Sequence, residues 1–464
     1  MEYNTELIVI LGKQIAEEFK HAIVGQSKGK PPLPLREVET AMRELFRQVG
    51  AEALGQYLSS QSSVPGPTIT CPCGGELHYQ RQREASLLSV FGRVTYRRGY
   101  YAGGLCGHGR APLDEQWGLK PGEVSPGLAE WLALAGIELA FDQSRCWLEK
   151  YLLFSVSENT IRAATQERGA YQQERESAFQ QSSQQEKWLQ ERLPSVDAVP
   201  QRLYGSIDAA KVRIEPRHPQ QTLTPEEAWW DMKVSCWYEL EAVPAVQRST
   251  RQQEKYEREQ QVYRAKNLRY TWDIAEAKAF GQLLWATGCQ VKADLVPELV
   301  FVGDGAPWIW NLVSQYYPKA VQIVDWYHAV EHLKGVALVA FSQPSAREAW
   351  LEETTQALWN GQVPDVIQTC QLLAKTCEKA QQAVTYFFNN AERMQYAKFR
   401  AAGYAIGSGT VESACKQIIT QRLKKSGAQW TVQGAVLTAK ARAAWLSGEW
   451  EALANPYPQL PLAI

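Results

Sequence analysis

The chain has 464 residues, 45% hydrophobic and 21% charged, with a formal net charge of −1. As a soft prior that length suggests about three domains, and the composition supports buried cores. A charge so near zero excludes a global field that would pull the protein onto nucleic acid or an anionic membrane, so any nucleic-acid contact falls to local basic patches. No stretch reaches about 18 uninterrupted apolar residues, so no transmembrane helix is expected. Met1-Glu2-Tyr3-Asn4-Thr5-Glu6 lacks the basic start of a signal peptide. The nine Cys are odd in number and mostly scattered, which fits reduced cytoplasmic thiols better than a disulfide framework.

Residues 1–66 read as helical. Val38, Met42, Leu45, Val49, Leu54 and Leu58 follow helical spacing after the punctuation of Pro31, Pro32 and Pro34. Ser59 to Pro67 reads as a polar linker. Residues 67–120 change character. Cys71-Pro72-Cys73-Gly74-Gly75 is a tight turn, strand-like runs follow at Ser86 to Val90 and Val94 to Tyr101, and Cys106-Gly107-His108 closes the module. Two thiols, two strands and a further Cys/His turn outline a zinc ribbon, with Cys71, Cys73, Cys106 and His108 as the Zn²⁺ ligands. Only one residue separates the members of each pair, where two is usual. A metal-free hairpin module therefore stands beside the zinc reading. Arg81, Arg83, Arg93, Arg97, Arg98 and Arg110 make the segment basic, which suits phosphate or a solvated face.

Residues 121–200 read as helical. Ser155 with Glu158 predicts a capping box. The helix after that short turn carries Asn159, Thr160, Arg162 and Gln166, in the manner of a helix-turn-helix with a DNA-reading helix. Plain helical packing is the alternative. Gln172 to Glu191 reads as an exposed connecting helix.

Residues 201–330 alternate strand and helix. Leu203 to Val212 is a strand with Asp208 inside it, and Lys233 to Leu240 is another. Arg248 to Arg269 reads as a charged, mobile-looking insert, and Ala275 to Trp285 as a helix. Leu299-Val300-Phe301-Val302 and Ala320 to Val324 are short apolar runs that read as buried strands. The first ends in Gly303-Asp304-Gly305 and the second in Asp325-Trp326-Tyr327-His328. An Asp just past such a strand sits at the carboxyl edge of a sheet, where open α/β folds place their ligands. The plainer role of Asp304 is an Asx-turn or a helix cap. Residues 331–402 read as all helix, and 403–464 as a glycine-rich turn followed by helix, with Glu412 after Gly407-Ser408-Gly409.

Asp208, Asp304 and Glu412 come from three elements. Two-metal phosphoryl transfer needs carboxylates converging this way on two hard cations about 3.5–4 Å apart, and oxygen ligands suit Mg²⁺ or Mn²⁺. A structural Asp208 and a helix-dipole role for Glu412 are the alternatives. The basic run Arg422, Lys424 and Lys425 beside Trp430 suits the DNA backbone, with core packing the plainer role for the Trp.

Several ordered runs carry a resemblance. They are Phe91-Gly92-Arg93-Val94, Arg98-Gly99-Tyr100-Tyr101, Ala111-Pro112-Leu113-Asp114 and Gly303-Asp304-Gly305-Ala306. Asp325-Trp326-Tyr327-His328-Ala329, Ile406-Gly407-Ser408-Gly409 and Val411-Glu412-Ser413-Ala414-Cys415-Lys416 complete them. In these the chain resembles bacterial insertion-sequence transposases of the Kra type, relatives of the Mutator-like DDE transposases. The resemblance implies a multidomain α/β and α+β protein whose RNase H-like core is interrupted by a helical insertion. It implies Asp208, Asp304 and Glu412 as a catalytic triad holding two Mg²⁺ or Mn²⁺ ions, with His328 near the active site. It implies double-stranded DNA as partner, assembly into a homo-oligomer on DNA, and a place at the bacterial nucleoid with no membrane. The chain departs from the family at the zinc-ribbon segment, where Gly103 stands in place of the third Cys.

Overall fold

The computed structural model describes residues 5–26, 34–62, 66–103, 107, 109–120, 122–191, 199–215, 224, 227–250, 252–253, 262–407, 416–425 and 427–454. The fold is mixed α/β with two sheets and many helices. The chain forms two compact units, residues 1–132 with 145–158, and residues 133–144 with 159–464. Among the described residues no helix is long and apolar enough to cross a membrane.

The first unit begins with α1 (Thr5–Gln26) and α2 (Leu35–Ser60). A three-stranded antiparallel sheet follows, β1 (Thr68–Thr70), β2 (Glu76–Ser89) and β3 (Gly92–Ala102), in the order β1-β2-β3. Buried and exposed residues alternate along β3, so Val94 and Tyr96 pack with Leu58, Ala85, Leu87 and Leu113. The Ser59 to Pro67 stretch is not simply a linker. Ser59 lies in the last turn of α2 and accepts the Arg97 N–H at 3.0 Å, and Ser62 accepts the Gly99 N–H at 3.1 Å. These hydroxyls satisfy amides on the outer edge of β3, where Tyr101 also bridges to Arg110.

The helix α3 (Pro112–Trp117) explains the Ala111-Pro112-Leu113-Asp114 run. Proline opens the helix where a missing N–H costs nothing. Asp114 is buried, accepts the Tyr96 hydroxyl at 2.7 Å and pairs with Arg98. Arg110 pairs with Glu115, its Nε at 2.6 Å. Two of the six arginines that looked like a basic face are therefore internal ion-pair partners, while Arg81, Arg83, Arg93 and Arg97 stay exposed.

Three helices follow, α4 (Pro126–Glu138), α5 (Phe141–Leu152) and α6 (Glu158–Ser183). The expected capping box is absent. The last helix begins at Glu158, and that carboxylate lies 3.4 Å from Arg145 instead of reaching back to Ser155. α6 is also not a solvated connector. Arg168, Gln172 and Glu176 are buried along it, because polar side chains can line an interior when each meets a partner.

After α7 (Glu186–Glu191) comes the second sheet. It consists of β4 (Arg202–Arg213), β5 (Trp229–Ala242), β6 (Tyr263–Asp273), β7 (Glu298–Gly303) and β8 (Val321–Val324). The order is β6-β5-β4-β7-β8; β4, β5 and β6 are antiparallel neighbours, and β7 and β8 run parallel to β4. The last part of the expected charged insert is strand. Tyr263 to Arg269 belongs to β6, an edge strand on which Arg264 and Lys266 are exposed to water while Arg269 pairs with Glu449. Between the strands lie α8 (Ala277–Gln290) and α9 (Pro307–Tyr316). Trp237, Trp272, Phe280 and Phe301 centre one continuous core here.

The predicted helical block is α10 (Trp326–Ala340), α11 (Pro344–Trp359), α12 (Val363–Ala374), α13 (Glu378–Asn390) and α14 (Tyr396–Ala401). No strand returns after β8 among the described residues. A π-helical stretch covers Lys416–Leu423, and α15 (Val432–Leu446) follows, capped by Thr431, which accepts the Gly434 N–H at 3.0 Å. Gly434 through Ala444 are all buried, and mostly small. Small side chains let this helix pass through the interior, and Lys440 and Arg442 travel with it. The chain ends its described part in α16 (Glu451–Ala454).

Candidate active site

Strand register builds the site. In the parallel pair β4/β7, Ser206 lies opposite Val302, so two residues further on Asp208 comes opposite Asp304. In β7/β8, Gly303 lies opposite Val324, so Asp304 comes opposite Asp325. Neighbouring strands lie about 4.8 Å apart. Continued past the last paired residues, this register brings the three aspartates to the edge where β7 and β8 end. Asp208 and Asp304 are half-buried, and Asp325 is fully buried.

Each carboxylate also serves the local fold. Asp208 Oδ1 accepts the Ala209 N–H at 2.7 Å. Asp304 Oδ1 accepts the Ala306 N–H at 2.8 Å, the Asx-turn that its sequence context allowed. This turn stops β7 and leads through Ala306 into α9, with proline at its first position. Asp325 caps α10, accepting the His328 N–H at 2.7 Å, and its own N–H donates to Gly303 O at 2.7 Å. So Asp325 and His328 are tied through the backbone, one turn apart. The imidazole of His328 is partly exposed, stands edge-on to His332 at 5.3 Å and lies 4.0 Å from Glu331.

Residues of the helical block close over this edge. Tyr386 Oη donates to Asp304 O at 2.9 Å, and Asn390 Nδ2 to Gly305 O at 3.3 Å. Tyr396 Oη donates to Val324 O at 3.1 Å. His332 stacks on Tyr386 at 3.8 Å between ring centres. Burial, then neighbouring His328 and Lys379, holds the His332 imidazole down to about 4, so it is neutral at pH 7. Burial and the carboxylates of Asp304 and Asp325 push the Tyr386 hydroxyl upward, so it stays a proton donor. Nothing in the sequence pointed to Tyr386, Asn390 or Tyr396, whose partners lie far away along the chain.

The chain returns to the edge before the third expected acid. The Trp326 N–H donates to Ile406 O at 2.9 Å. A Cβ on Gly407 would lie 3.1 Å from the Tyr327 ring and 3.7 Å from Asp325 Oδ2. Glu412, five residues on, lies outside the described residues, as do Cys106 and His108. Among the described residues no group of three or more His, Cys, Asp or Glu side chains could hold a metal ion. The carboxylates of Asp208 and Asp304 are hard oxygen donors, which fits Mg²⁺, since that ion takes one or two carboxylates and keeps water or phosphate for its other positions. In the first unit Cys71 is buried against Leu77 and Tyr101, and Cys73 is exposed.

The expected DNA contacts divide. Asn159 and Arg162 are exposed in the first turns of α6, with Arg162 5.5 Å from the Phe141 ring centre. Lys424 is exposed and Lys425 partly so. Arg422 is a correction. It is buried, its Nε donates to Gly136 O at 2.7 Å, and its guanidinium lies 4.5 Å from the Phe141 ring and 5.0 Å from Trp430. Burial, reinforced by nearby Arg442, lowers it to about 10. A cation sealed between two rings packs the interior and is out of reach of a phosphate. Trp430, 5% exposed, is a core residue too. No family model matches the chain, and no curated protein matches it.

Proposed function

We propose that the protein is a DNA transposase of the DDE type on an RNase H-like core. Asp208, Asp304 and Glu412 are its acidic triad, and Mg²⁺ or Mn²⁺ its cofactor. The observation that carries this reading is the register that sets Asp208 beside Asp304 at a strand-end edge, to which the chain returns at Gly407 just ahead of Glu412. The ordered motifs that resemble the Kra-type transposases support it further. Bound between these acids, two divalent cations would supply Lewis-acid activation of the attacking oxygen and charge stabilisation of the leaving oxygen.

The chain's own groups do the rest. Asp208 and Asp304, each anchored by a backbone N–H, hold their carboxylates in place before substrate arrives. In this reading His328, partly exposed one turn after Asp325, would contact the scissile phosphate. Water attacks the phosphodiester at the element ends, leaving a 5′-phosphate and a free 3′-hydroxyl, and that hydroxyl then attacks a phosphodiester of target DNA and displaces a target 3′-hydroxyl. The partners in this reading are the terminal repeats and target DNA, with Asn159 and Arg162 on the DNA-reading helix, Lys424 and Lys425 on the backbone, and a second copy of the chain at the other end.

The test is to change Asp208, Asp304 and Glu412 singly to Ala and to assay cleavage and joining with Mg²⁺. Each variant loses both reactions, and full activity in any one removes that residue from the triad. Pre-cleaved ends that fail to join would make the protein a metal-dependent nuclease instead. Binding of DNA with no Mn²⁺ uptake would make it a non-catalytic regulator.

A further inference from the structure

We infer that Tyr386 and Asn390, on the helical block, are positioning residues that fix the Asp304 carboxylate for its cation. The inference rests on the acidic-site reading above. It starts from a general problem: where a parallel strand ends, its last carbonyls have no neighbouring strand to pair with, and a buried unpaired carbonyl is costly. At this edge α13 and α14 supply the donors. Tyr386 Oη takes Asp304 O, Asn390 Nδ2 takes Gly305 O, and Tyr396 Oη takes Val324 O. Three successive points on the edge are held by side chains from one segment.

The fit at Gly305 is close. Its φ is +96°, and a Cβ there would lie 2.6 Å from Tyr386 Cε2. The tyrosine ring therefore occupies the space that any other side chain at 305 would need. On its other side the ring stacks on neutral His332. Arg393 Nε also donates to Gln322 Oε1 at 2.7 Å, tying the same segment to β8. The turn that aims Asp304 is clamped from outside the sheet, by hydrogen bonds to the backbone of the acid loop. Groups that orient a ligand in this indirect way tune metal affinity by about 10–100-fold.

The experiment uses the full-length chain, with Mn²⁺ as the probe. Mn²⁺ binding, melting temperature and the metal dependence of cleavage are measured for wild type, Tyr386→Phe, Asn390→Ala and Asp304→Ala. Tyr386→Phe keeps the stacking ring and removes only the hydroxyl. It is expected to weaken Mn²⁺ binding by about tenfold and to raise the half-saturating metal concentration equally. The rate at saturating metal stays within about threefold of wild type, since the clamp acts on binding of the cation. Asn390→Ala shifts the same way. Wild-type Mn²⁺ affinity in both variants, with Asp304→Ala defective, overturns the inference and leaves the acidic site standing. Collapse of the fold in Tyr386→Phe overturns it as well, because the hydroxyl would then serve the fold and not the loop. Wild-type Mn²⁺ binding in Asp304→Ala overturns the acidic site itself.

Discussion

Lys440 on α15 and Glu176 on α6 form an ion pair sealed from solvent, with side chains 2% and 5% exposed. Lys440 Nζ also donates to Trp272 O at 3.0 Å and lies 3.7 Å from Asp273. The two carboxylates hold the ammonium in its charged form against the burial that opposes it. Removing one partner leaves a buried charge uncompensated. Lys440→Met is expected to lower unfolding free energy by about 3–5 kcal/mol, and adding Glu176→Leu to recover part of it. Urea denaturation of the single and double variants checks this.

α6 and α15 also meet backbone to backbone. A Cβ on Gly169 would lie 2.0 Å from Leu437 O. Backbone cannot rotate away as a long side chain can, so Gly169→Ala forces the helices apart. The expected cost is about 1–3 kcal/mol or more, read as a lower denaturation midpoint with the slope unchanged.

His332 gives a pH prediction. Its folded value of about 4 lies below its ordinary 6.5. Between those values the unfolded chain takes up a proton that the folded chain refuses, so this contribution to stability is present above about pH 6.5 and is lost as pH falls toward 4. The melting temperature of wild type is expected to fall across that window more steeply than that of His332→Gln. Parallel slopes in the two proteins would show that the imidazole does not titrate as its burial requires.

The basic run after Glu412 separates into two roles. Lys424→Ala with Lys425→Ala is expected to weaken DNA binding, to flatten the dependence of affinity on salt by about 1–2 in slope, and to leave melting unchanged. Arg422→Met is expected to lower the melting temperature, because Gly136 O and two rings lose their partner. Fluorescence anisotropy at several salt concentrations, with thermal melts, tells the roles apart.

What the sequence revealed depended on the range of the cause. β7 and β8 were readable because short β-branched runs flanked by glycine and aspartate have one cheap conformation. The helical block was readable from its spacing. β6 was missed because its edge position tolerates alternating charges, which look like a solvated insert. Glu176 and Arg422 read from the sequence as surface residues because their partners, Lys440 and Gly136, come from distant parts of the chain. Asp304 and Asp325 were visible as strand-end acids and Asp208 as an acid inside a strand, but that Asp208 and Asp304 share an edge comes from register, and the tyrosine clamp comes from packing. Neither leaves a local signature.

The hydroxyls of Ser59 and Ser62 along β3 have an effect on solubility. Strand exchange between molecules needs a free row of amides, and the outer edge of β3 offers few: Ser59 and Ser62 take the Arg97 and Gly99 N–H groups, and Arg110 bridges to Tyr101. Copies of this protein brought together at high local concentration therefore meet few free amides along β3. Replacing both serines with alanine would reopen the row.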